Sequence, residues 1–595
     1  MKKKSICIIM TAMLVLAVSG CGKKNDTSEM PVEIEDNNDE KEVSAAADED
    51  IKEPVVAVTE EKEPEAELNM PASEYLSVNI TRYDYTASDE ESGRTDIVES
   101  RYAKIELSDE DAKRYPELAK TLDARNQEQE KNSNTEFETT VQDYLDFELN
   151  YEYGGLLEGT GYYPTYVDEV LNRIIRADEN VLSIMEHYYG FLGGAHGFYG
   201  ESGEAYDVKT GKLLTLEDVV VDKEAFTDKI KDKLLEGYPD TQFAEDLDEY
   251  CKNVEFSGNF ELNWSIDYSG LTVYFEPYEL ASYADGVLVA RFSFAEDGDL
   301  FNPQYTSVPE NYITSVTKWT DAYADLDGDG KEEKIKLFGE GMYEDYDSCE
   351  WKWLINDKEG ITDTCESFEN ESYLVKYNGK YYAYMFNKVE DDYRILSIID
   401  IATGKELGGE YGLPNYGIYV KDYGYSDKDG VYCYWNTESA LINPEAMELE
   451  SRLDVLGTYS SAKTYSIGSD GIPVSDEEFF EIDKMGYMIC PVRDLPCSIV
   501  DKDGNVIEEN AVLPKDTMLR IVRTDGKTIA YLQAGDYNVE ETEYSTDEYP
   551  FWFTEDPIDL SQGTFYRIEY EEIDYEPVLD GESVYNLFKG MMFAG

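Results

Sequence analysis

Apolar and aromatic runs separated by short polar turns recur from about residue 76 to the end of the chain, a pattern typical of β-strands joined by hairpins. Runs predicted to be strands lie at 76–85, 271–275, 287–294, 381–386 and 395–401. Dipeptides that contain glycine and favour tight turns separate many of the runs. They lie at 378–379, 403–404, 429–430, 503–504, 525–526 and 580–581. The pattern therefore predicts a strand-rich body.

Apolar residues at helical spacing interrupt this pattern, mainly in the first half of the body. Phe226, Ile230 and Leu234 would share one face of a helix over residues 225–235. Further helices are predicted over 109–122, 166–176 and 584–589, the last of them ended by Gly590. Because strands and helices are segregated rather than regularly alternating, the predicted fold class is α+β.

The folded part of the chain is long enough for three domains of ordinary size. We predict a mixed α/β first domain over residues 73–312 and a β-rich second domain over 313–470. The third, over 471–595, is predicted to be a small β-rich barrel or sandwich.

The start of the chain has a different character. Three lysines at positions 2–4 precede an apolar stretch, 6–18, that is too short for a stable membrane span, and a Ser-Gly pair comes directly before Cys21. This order resembles the signal peptide and lipobox of bacterial lipoproteins, in which the cysteine receives a diacylglycerol and the chain is cleaved before it. The resemblance implies a signal peptide at 1–20, lipidation of Cys21 and anchoring at the extracytoplasmic face of the cell membrane.

Residues 21–72 are predicted to be a disordered acidic tether. Residues 22–72 hold seventeen acidic and five basic side chains and no aromatic residue, so they have too little apolar area to offset the entropy of the chain. The formal charge of the whole chain is −78. Such a charge repels nucleic acid and attracts cations or basic proteins, and we expect no nucleic-acid partner.

The body contains six cysteines: Cys251, Cys349, Cys365, Cys433, Cys490 and Cys497. Export permits disulfides, and the pairs Cys349 with Cys365 and Cys490 with Cys497 are the locally plausible ones. Free thiols are the alternative, because a body of this size does not need cross-links for stability. Spacing alone does not choose between the two.

The stretch from Tyr188 to Gly197 reads Tyr-Tyr-Gly-Phe-Leu-Gly-Gly-Ala-His-Gly and predicts a strand that enters a glycine-rich turn. A strand pair around Thr210-Gly211 follows, and residues 271–286 read Leu-Thr-Val-Tyr-Phe-Glu-Pro-Tyr-Glu-Leu-Ala-Ser-Tyr-Ala-Asp-Gly. Over residues 75–310 these motifs resemble the extracytoplasmic domain shared by the lysozyme-sensing anti-sigma factor RsiV and the peptidoglycan deacetylase PdaC. The resemblance implies an RsiV-like fold and, from RsiV, binding of lysozyme. The candidate contact residues are Gly193, Gly194, His196, Phe198 and Tyr199.

Histidine is scarce, with His187 and His196 the two in the chain. No metalloprotease motif, serine triad or metal motif of the PdaC catalytic domain is found, and the glycine run leads into a strand rather than the helix of a nucleotide site. A zinc site formed by the two histidines with Glu186 or Asp207 is one alternative. A structural histidine bonded to the backbone is favoured over it. We therefore predict that the protein is not an enzyme.

An acidic loop from Asp325 to Glu333 reads Asp-Leu-Asp-Gly-Asp-Gly-Lys-Glu-Glu. Carboxylates at alternate positions, a glycine for the sharp turn and an acid at the ninth position suit Ca²⁺. The twelfth position is Lys336 rather than the glutamate of an EF-hand, and strand-like alternation follows it. The loop thus resembles the β-type calcium loops of integrin-like surface repeats. Binding of Ca²⁺ through Asp325, Asp327, Asp329 and Glu333 is favoured over a solvated acidic turn.

The leading hypothesis for the function is a lipid-anchored extracytoplasmic binding or sensing protein that engages lysozyme, another basic protein or peptidoglycan. The rival is a hydrolase that acts on cell-wall or other carbohydrate through paired carboxylates. A third alternative is a structural or solute-capture surface protein. An enzyme should show a pocket with converging carboxylates of perturbed pKa, whereas a binding protein should show an exposed aromatic patch.

Overall fold

Strands dominate the structure, a computed structural model in which they account for 51% of the described residues and helices for 18%. The protein is therefore strand-rich with several sheets and also contains helices, which agrees in outline with the predicted α+β class. The structure describes residues 74–593 with gaps at 90–92, 151–163, 245, 259–260, 341–348, 368, 390–393, 409–415, 429, 483–486, 542–544, 546–549, 555–558 and 574–575. The predicted signal peptide, Cys21 and the tether lie outside these residues. No helix within the described residues combines the length and apolar character needed to cross a membrane.

The elements up to residue 316 include both helices and strands. The strands are β1 (Val78–Asp89), β2 (Arg94–Leu107), β3 (Tyr166–Ala177), β4 (Val181–Phe191), β5 (Phe198–Asp207), β6 (Asn263–Ile266), β7 (Gly270–Phe275), β8 (Leu288–Ser293) and β9 (Tyr312–Val316). The helices are α1 (Asp109–Arg114), α2 (Pro116–Asn150), α3 (Leu216–Val219), α4 (Lys223–Gly237), α5 (Leu247–Asn253), α6 (Phe294–Asp297) and α7 (Pro303–Thr306), with single 3₁₀ turns at Tyr283–Asp285 and Gly298–Leu300.

The later elements are almost all strands. Up to residue 474 they are β10 (Ala322–Ala324), β11 (Glu333–Glu340), β12 (Cys349–Ile355), β13 (Lys358–Ser367), β14 (Glu369–Tyr377), β15 (Lys380–Lys388), β16 (Arg394–Asp400), β17 (Lys405–Leu407), β18 (Tyr416–Ile418), β19 (Val420–Lys428), β20 (Val431–Ser439), β21 (Met447–Asp454), β22 (Thr458–Ile467) and β23 (Pro473–Val474). The last are β24 (Phe480–Ile482), β25 (Tyr487–Met488), β26 (Cys490–Pro491), β27 (Leu495–Val500), β28 (Val506–Leu513), β29 (Arg520–Thr524), β30 (Ile529–Ala534), β31 (Glu540–Glu541), β32 (Trp552–Phe553), β33 (Thr564–Glu569), β34 (Glu571–Ile573), β35 (Glu576–Leu579), β36 (Glu582–Ser583), helix α8 (Val584–Leu587) and β37 (Phe588–Lys589).

A seven-stranded sheet with the order β19-β20-β1-β2-β3-β4-β5 carries the candidate site. Strand β20 pairs antiparallel with β1 from Asn79 opposite Ser439 to Ala87 opposite Val431. This sheet crosses the domain boundary predicted between residues 312 and 313. A second large sheet joins β22 to β24 and so crosses the boundary predicted between 470 and 471. Turn signals and local alternation give no information about such distant strand partners.

Helix α2 packs on one face of the seven-stranded sheet. Phe137 of α2 contacts Tyr85 of β1 with ring centroids 5.5 Å apart, and Tyr144 contacts Tyr166 of β3 at 4.9 Å. Because side chains alternate between the two faces of a strand, the neighbours of Tyr85 and Tyr166 point to the opposite face.

Helix α4 packs on the three-stranded sheet β6-β7-β8. Phe226, Ile230 and Leu234 are fully buried, as their helical spacing predicts, and the ring of Phe226 stacks on that of Phe292 at 4.4 Å. Burial of each such side chain contributes about 2 kcal/mol. The side chain of Asp222 caps the helix by accepting a hydrogen bond from the Ala225 N–H at 3.1 Å.

Three of the predicted helices need correction. Residues 166–176 form strand β3, which pairs with β4 from Val167 opposite Phe191 to Ala177 opposite Leu182, so the apparent helical spacing there is coincidental. The helix predicted over 109–122 is two helices, because Pro116 begins a second one that continues to Asn150. The helix predicted over 584–589 ends at Leu587, and the next two residues form β37.

The predicted hairpin turns at 378–379, 403–404, 503–504, 525–526 and 580–581 each join two paired antiparallel strands. Of the two alternatives left open for the cysteines, the structure has free thiols: Cys490 and Cys497 are buried free thiols, as are Cys251, Cys349 and Cys433. Burial raises the pKa of all five, that of Cys497 to about 11. High thiol pKa values keep these groups protonated and unreactive.

Candidate ligand-binding site

The predicted glycine-rich turn joins β4 to β5. The two strands pair from Val181 opposite Asp207 to Gly190 opposite Phe198, and residues 192–196 at the tip are exposed. Gly193 has φ of 72°, and a Cβ there would lie 2.8 Å from the ring of Tyr166. Both the backbone conformation and the close approach therefore require glycine at this position.

Four side chains form an aromatic group beside the turn, which we call the tyrosine cluster: His196, Tyr199, Tyr278 and Tyr283. The ring centroid of Tyr283 lies 4.1 Å from that of His196, 5.6 Å from Tyr199 and 5.7 Å from Tyr278. The Tyr283 hydroxyl donates a hydrogen bond of 2.8 Å to the carbonyl oxygen of Gly197. Turn and cluster are thus held together by tilted and edge-on ring contacts and by a direct hydrogen bond.

Tyr278 is an exposed member of the cluster, with 63% of its surface accessible. Its φ of 73° is in the left-handed region, which costs a residue with a Cβ about 1–3 kcal/mol and is frequent at functional sites. Hydrogen bonds support the turn around it: the Glu279 carboxylate accepts one from the Glu276 N–H at 2.9 Å and another from the Tyr250 hydroxyl. Burial raises the pKa of both glutamates.

Some of the contact residues predicted from the sequence are exposed, and others are partly buried. Gly194 and His196 are exposed, and His196 Nδ1 lies 2.8 Å from the Gly197 carbonyl oxygen, the predicted type of backbone contact. Phe198 is half-buried, and its ring covers Gly190, where a Cβ would lie 2.1 Å from it. Sequence reasoning did not nominate Tyr278 and Tyr283, although both lie in the motif quoted at 271–286.

The second histidine serves another part of the sheet. His187 on β4 is buried, with Nδ1 2.7 Å from Glu201 Oε1 and its ring stacked on Trp319 at 5.3 Å. The two residues considered as zinc ligands have other partners: Glu186 accepts from Arg125 and Asn172, and Asp207 from Thr210, Gln304 and Tyr305. Among the described residues, neither histidine belongs to a group of three side chains close enough to share a metal ion.

The acidic loop brings together three of the four predicted calcium ligands. Asp325, Asp327 and Glu333 each offer an oxygen, and these oxygens lie within 4.8 Å of one another. Asp329 is outside this group, and its carboxylate accepts a hydrogen bond from the Lys331 N–H at 2.8 Å. A strand, β11, begins at Glu333, as the alternation after the loop predicts. Three converging carboxylate oxygens are a donor set suited to a hard cation such as Ca²⁺.

A buried arginine attaches the acidic loop to the β6-β7-β8 sheet. Arg291 on β8 donates two hydrogen bonds to Glu332, at 3.0 and 2.9 Å, and two to Asp267, at 2.7 and 3.1 Å. Its guanidinium also lies 4.4 Å from the ring centroid of Tyr323. The two carboxylates raise the pKa of Arg291 against the opposing effect of burial, so the group is a fixed positive charge between two acids.

Each of two clefts in the described part of the chain is lined by a carboxyl group of perturbed pKa. The smaller cleft is lined by Asp267 and Asp321, and burial raises the pKa of Asp321. The larger cleft, of about 430 Å³, is lined by Glu217, Lys223 and Phe256 among others, and the pKa of Glu217 is lowered by its hydrogen bond with Lys223. The most strongly raised carboxyl pKa is that of Asp168, about 7, which results from burial and from nearby Glu136. Asp168 does not line this cleft.

The comparisons with known proteins match the part of the chain that contains Tyr278 and Tyr283. Residues 217–295 match the family described as "Protein of unknown function (DUF3298)". The match lies within the segment predicted to be RsiV-like and confirms that prediction at the level of this domain family.

Two solved structures of the same family are similar to the chain. One, from Bacteroides fragilis, is 19% identical over 39% of this chain and 95% of its own, with a TM-score of 0.29. The other, from Pseudomonas aeruginosa, is 14% identical over 39% of this chain and 98% of its own, with a TM-score of 0.25. No curated protein matches the chain.

Proposed function

We propose that the protein is an extracytoplasmic binding or sensing protein and that the tyrosine cluster is its contact surface for a cationic protein, lysozyme being the candidate suggested by the RsiV resemblance. The observation that carries the proposal is the aromatic group, with Tyr278 and His196 exposed, that contacts the glycine turn through Tyr283. Tyrosines provide large apolar contact area together with a polar hydroxyl, at a low cost in side-chain entropy.

The electrostatic surroundings support a basic partner. Glu276, Glu279 and Asp285 lie in the same short segment as Tyr278 and Tyr283, and the formal charge of the chain is −78. Complementary charge accelerates association and disfavours acidic partners. The alternative of a hydrolase with paired carboxylates has less support, because Glu217 in the larger cleft is ion-paired with Lys223 and Asp267 in the smaller cleft is bonded to Arg291.

Lipidation of Cys21 would place this surface outside the cell, tethered to the membrane by the acidic segment. A Ca²⁺ ion on Asp325, Asp327 and Glu333 would neutralise an acidic loop that Arg291 attaches to the β6-β7-β8 sheet. Both features belong to the proposal as a means of placing and stiffening the binding surface.

Calorimetric titration with lysozyme tests the proposal, with cytochrome c as a basic protein of different shape. We expect lysozyme to bind much more tightly than cytochrome c and Tyr278→Ala to weaken lysozyme binding at least about tenfold, as expected for a contact aromatic. Tyr585→Ala is the matched control, because Tyr585 is also exposed, at 49%, but lies far along the chain. Equal binding of the two basic proteins that disappears in 1 M salt would leave only nonspecific attraction and overturn the proposal.

A further inference from the structure

A continuous row of side chains crosses the seven-stranded sheet on the face opposite α2. The paired positions run from Tyr425 on β19 to Tyr434 on β20, Asp84 on β1 and Arg101 on β2, then to Glu169 on β3 and Tyr189 on β4. We call these six residues the sheet strip. With neighbouring strands about 4.8 Å apart, it is about 24 Å long.

The strip is open to solvent at Tyr425, Asp84 and Arg101 and half-buried at Tyr434, Glu169 and Tyr189. Tyr425 is 74% exposed, and Tyr432, on the same face two positions from Tyr434, is 43% exposed. The side chains of Asp84 and Arg101 are 40% and 49% exposed. At the β4 end of the strip, Tyr189 pairs with Tyr199 of the tyrosine cluster. The strip and the cluster are therefore adjacent.

The charges in the middle of the strip compensate one another. Arg101 Nε lies 2.6 Å from Asp84 Oδ1, and Arg101 Nη1 lies 3.1 Å from Glu169 Oε1. A highly charged partner would have to break these ion pairs before it could use them. A neutral ligand can use the same groups as hydrogen-bond donors and acceptors without separating them.

We propose that the sheet strip binds an extended neutral glycan. The rings of Tyr425 and Tyr434 at one end offer faces on which the apolar side of a sugar ring can stack, and the ion-paired centre offers donors and acceptors for sugar hydroxyls. Tyr189 at the other end is half-buried, with its ring over Gly197. The strip crosses six neighbouring strands, and its length exceeds that of a single sugar, so it favours an extended chain of several sugar units. It is distinct from the tyrosine cluster, whose proposed partner is a cationic protein.

Calorimetric titration of the full chain with cellohexaose and chitohexaose, two straight β-linked hexasaccharides, tests the proposal, with curved maltohexaose for comparison. We expect a straight hexasaccharide to bind with an affinity that is unchanged between 0.1 and 1 M salt, because the ligand is neutral. Tyr434→Ala and Tyr425→Ala should each weaken binding about tenfold, the loss expected for one aromatic contact of about 1.4 kcal/mol.

Two control variants separate stacking from loss of structure. Tyr434→Phe keeps the ring and should keep most of the affinity, and Tyr585→Ala should leave binding unchanged.

The proposal is overturned if neither straight hexasaccharide binds, if maltohexaose binds equally well, or if the strip variants bind like the unaltered chain. Loss of lysozyme binding in the Tyr434→Ala variant without any glycan binding would also overturn it and would make the strip part of the protein-binding surface. Glycan binding that survives Tyr278→Ala would separate this site from the tyrosine cluster.

Discussion

Replacement of Arg291 by methionine tests how firmly the acidic loop is attached to the β6-β7-β8 sheet. The Arg291 side chain is 12% exposed and bonds to Asp267 and Glu332, whose side chains are 14% and 10% exposed. Methionine retains much of the apolar stem but leaves both carboxylates without their cation. Loss of one partner from a buried ion pair typically costs about 3–5 kcal/mol, because the remaining charge is uncompensated. We expect a loss in this range.

The matched control is Arg523→Met, the same substitution at an ion pair with Glu481 in which the glutamate side chain is 54% exposed. Surface pairs of this kind contribute about 0–1 kcal/mol. Urea denaturation followed by tryptophan fluorescence measures both variants, and Trp264 of β6, 5% exposed, lies in the affected sheet. Adding Glu332→Gln to Arg291→Met should recover part of the loss by removing one buried charge. Equal losses in the two single variants would refute the assignment of Arg291 as a buried attachment.

Three further predictions concern the anchor, the acidic loop and a buried acid. Cys21→Ala should release the protein from the membrane fraction of its host, and retention by membranes after fractionation would contradict the lipid anchor. Millimolar Ca²⁺ should raise the melting temperature of the full chain by mass action. Asp325→Asn should abolish that rise while Asp329→Asn preserves it, since Asp329 lies outside the converging group, and identical melting in chelator and in Ca²⁺ would refute the site. The pKa of Asp168 is raised to about 7 by burial, so the folded state binds the proton more tightly than the unfolded chain and stability falls as pH rises from about 4 to 7. Asp168→Asn should therefore stabilise the protein more at pH 8 than at pH 5, and equal denaturation midpoint shifts at the two values would refute this.

Local features of the fold could be predicted where sequence neighbours determine them. Glycine-containing dipeptides placed the hairpins, because few other residues adopt the required backbone conformations. The spacing of Phe226, Ile230 and Leu234 placed α4, because one apolar face at that spacing fits only a helix. The helix predicted over 166–176 was wrong, because a short apolar segment can fit a strand or a helix until its pairing partner is known.

Non-local features could not be predicted. Nothing near β20 indicates that it pairs with β1, more than three hundred residues earlier in the chain. The contact between His196 and Tyr283 likewise depends on two separated loops meeting. The glycine turn indicated one part of the candidate site. Tyr278, which is 63% exposed, lies in a separate segment, and nothing in the sequence of the turn indicates that the two meet.

Hydrogen exchange of the full chain with and without lysozyme tests the central claim, that the tyrosine cluster is a protein-binding surface. Binding there should slow exchange in residues 188–199 and 276–286, which carry the glycine turn and its aromatic partners, and leave the segment around Tyr585 unchanged. The account is contradicted if lysozyme binds but slows exchange only in other segments, or if no concentration of lysozyme changes exchange in these two.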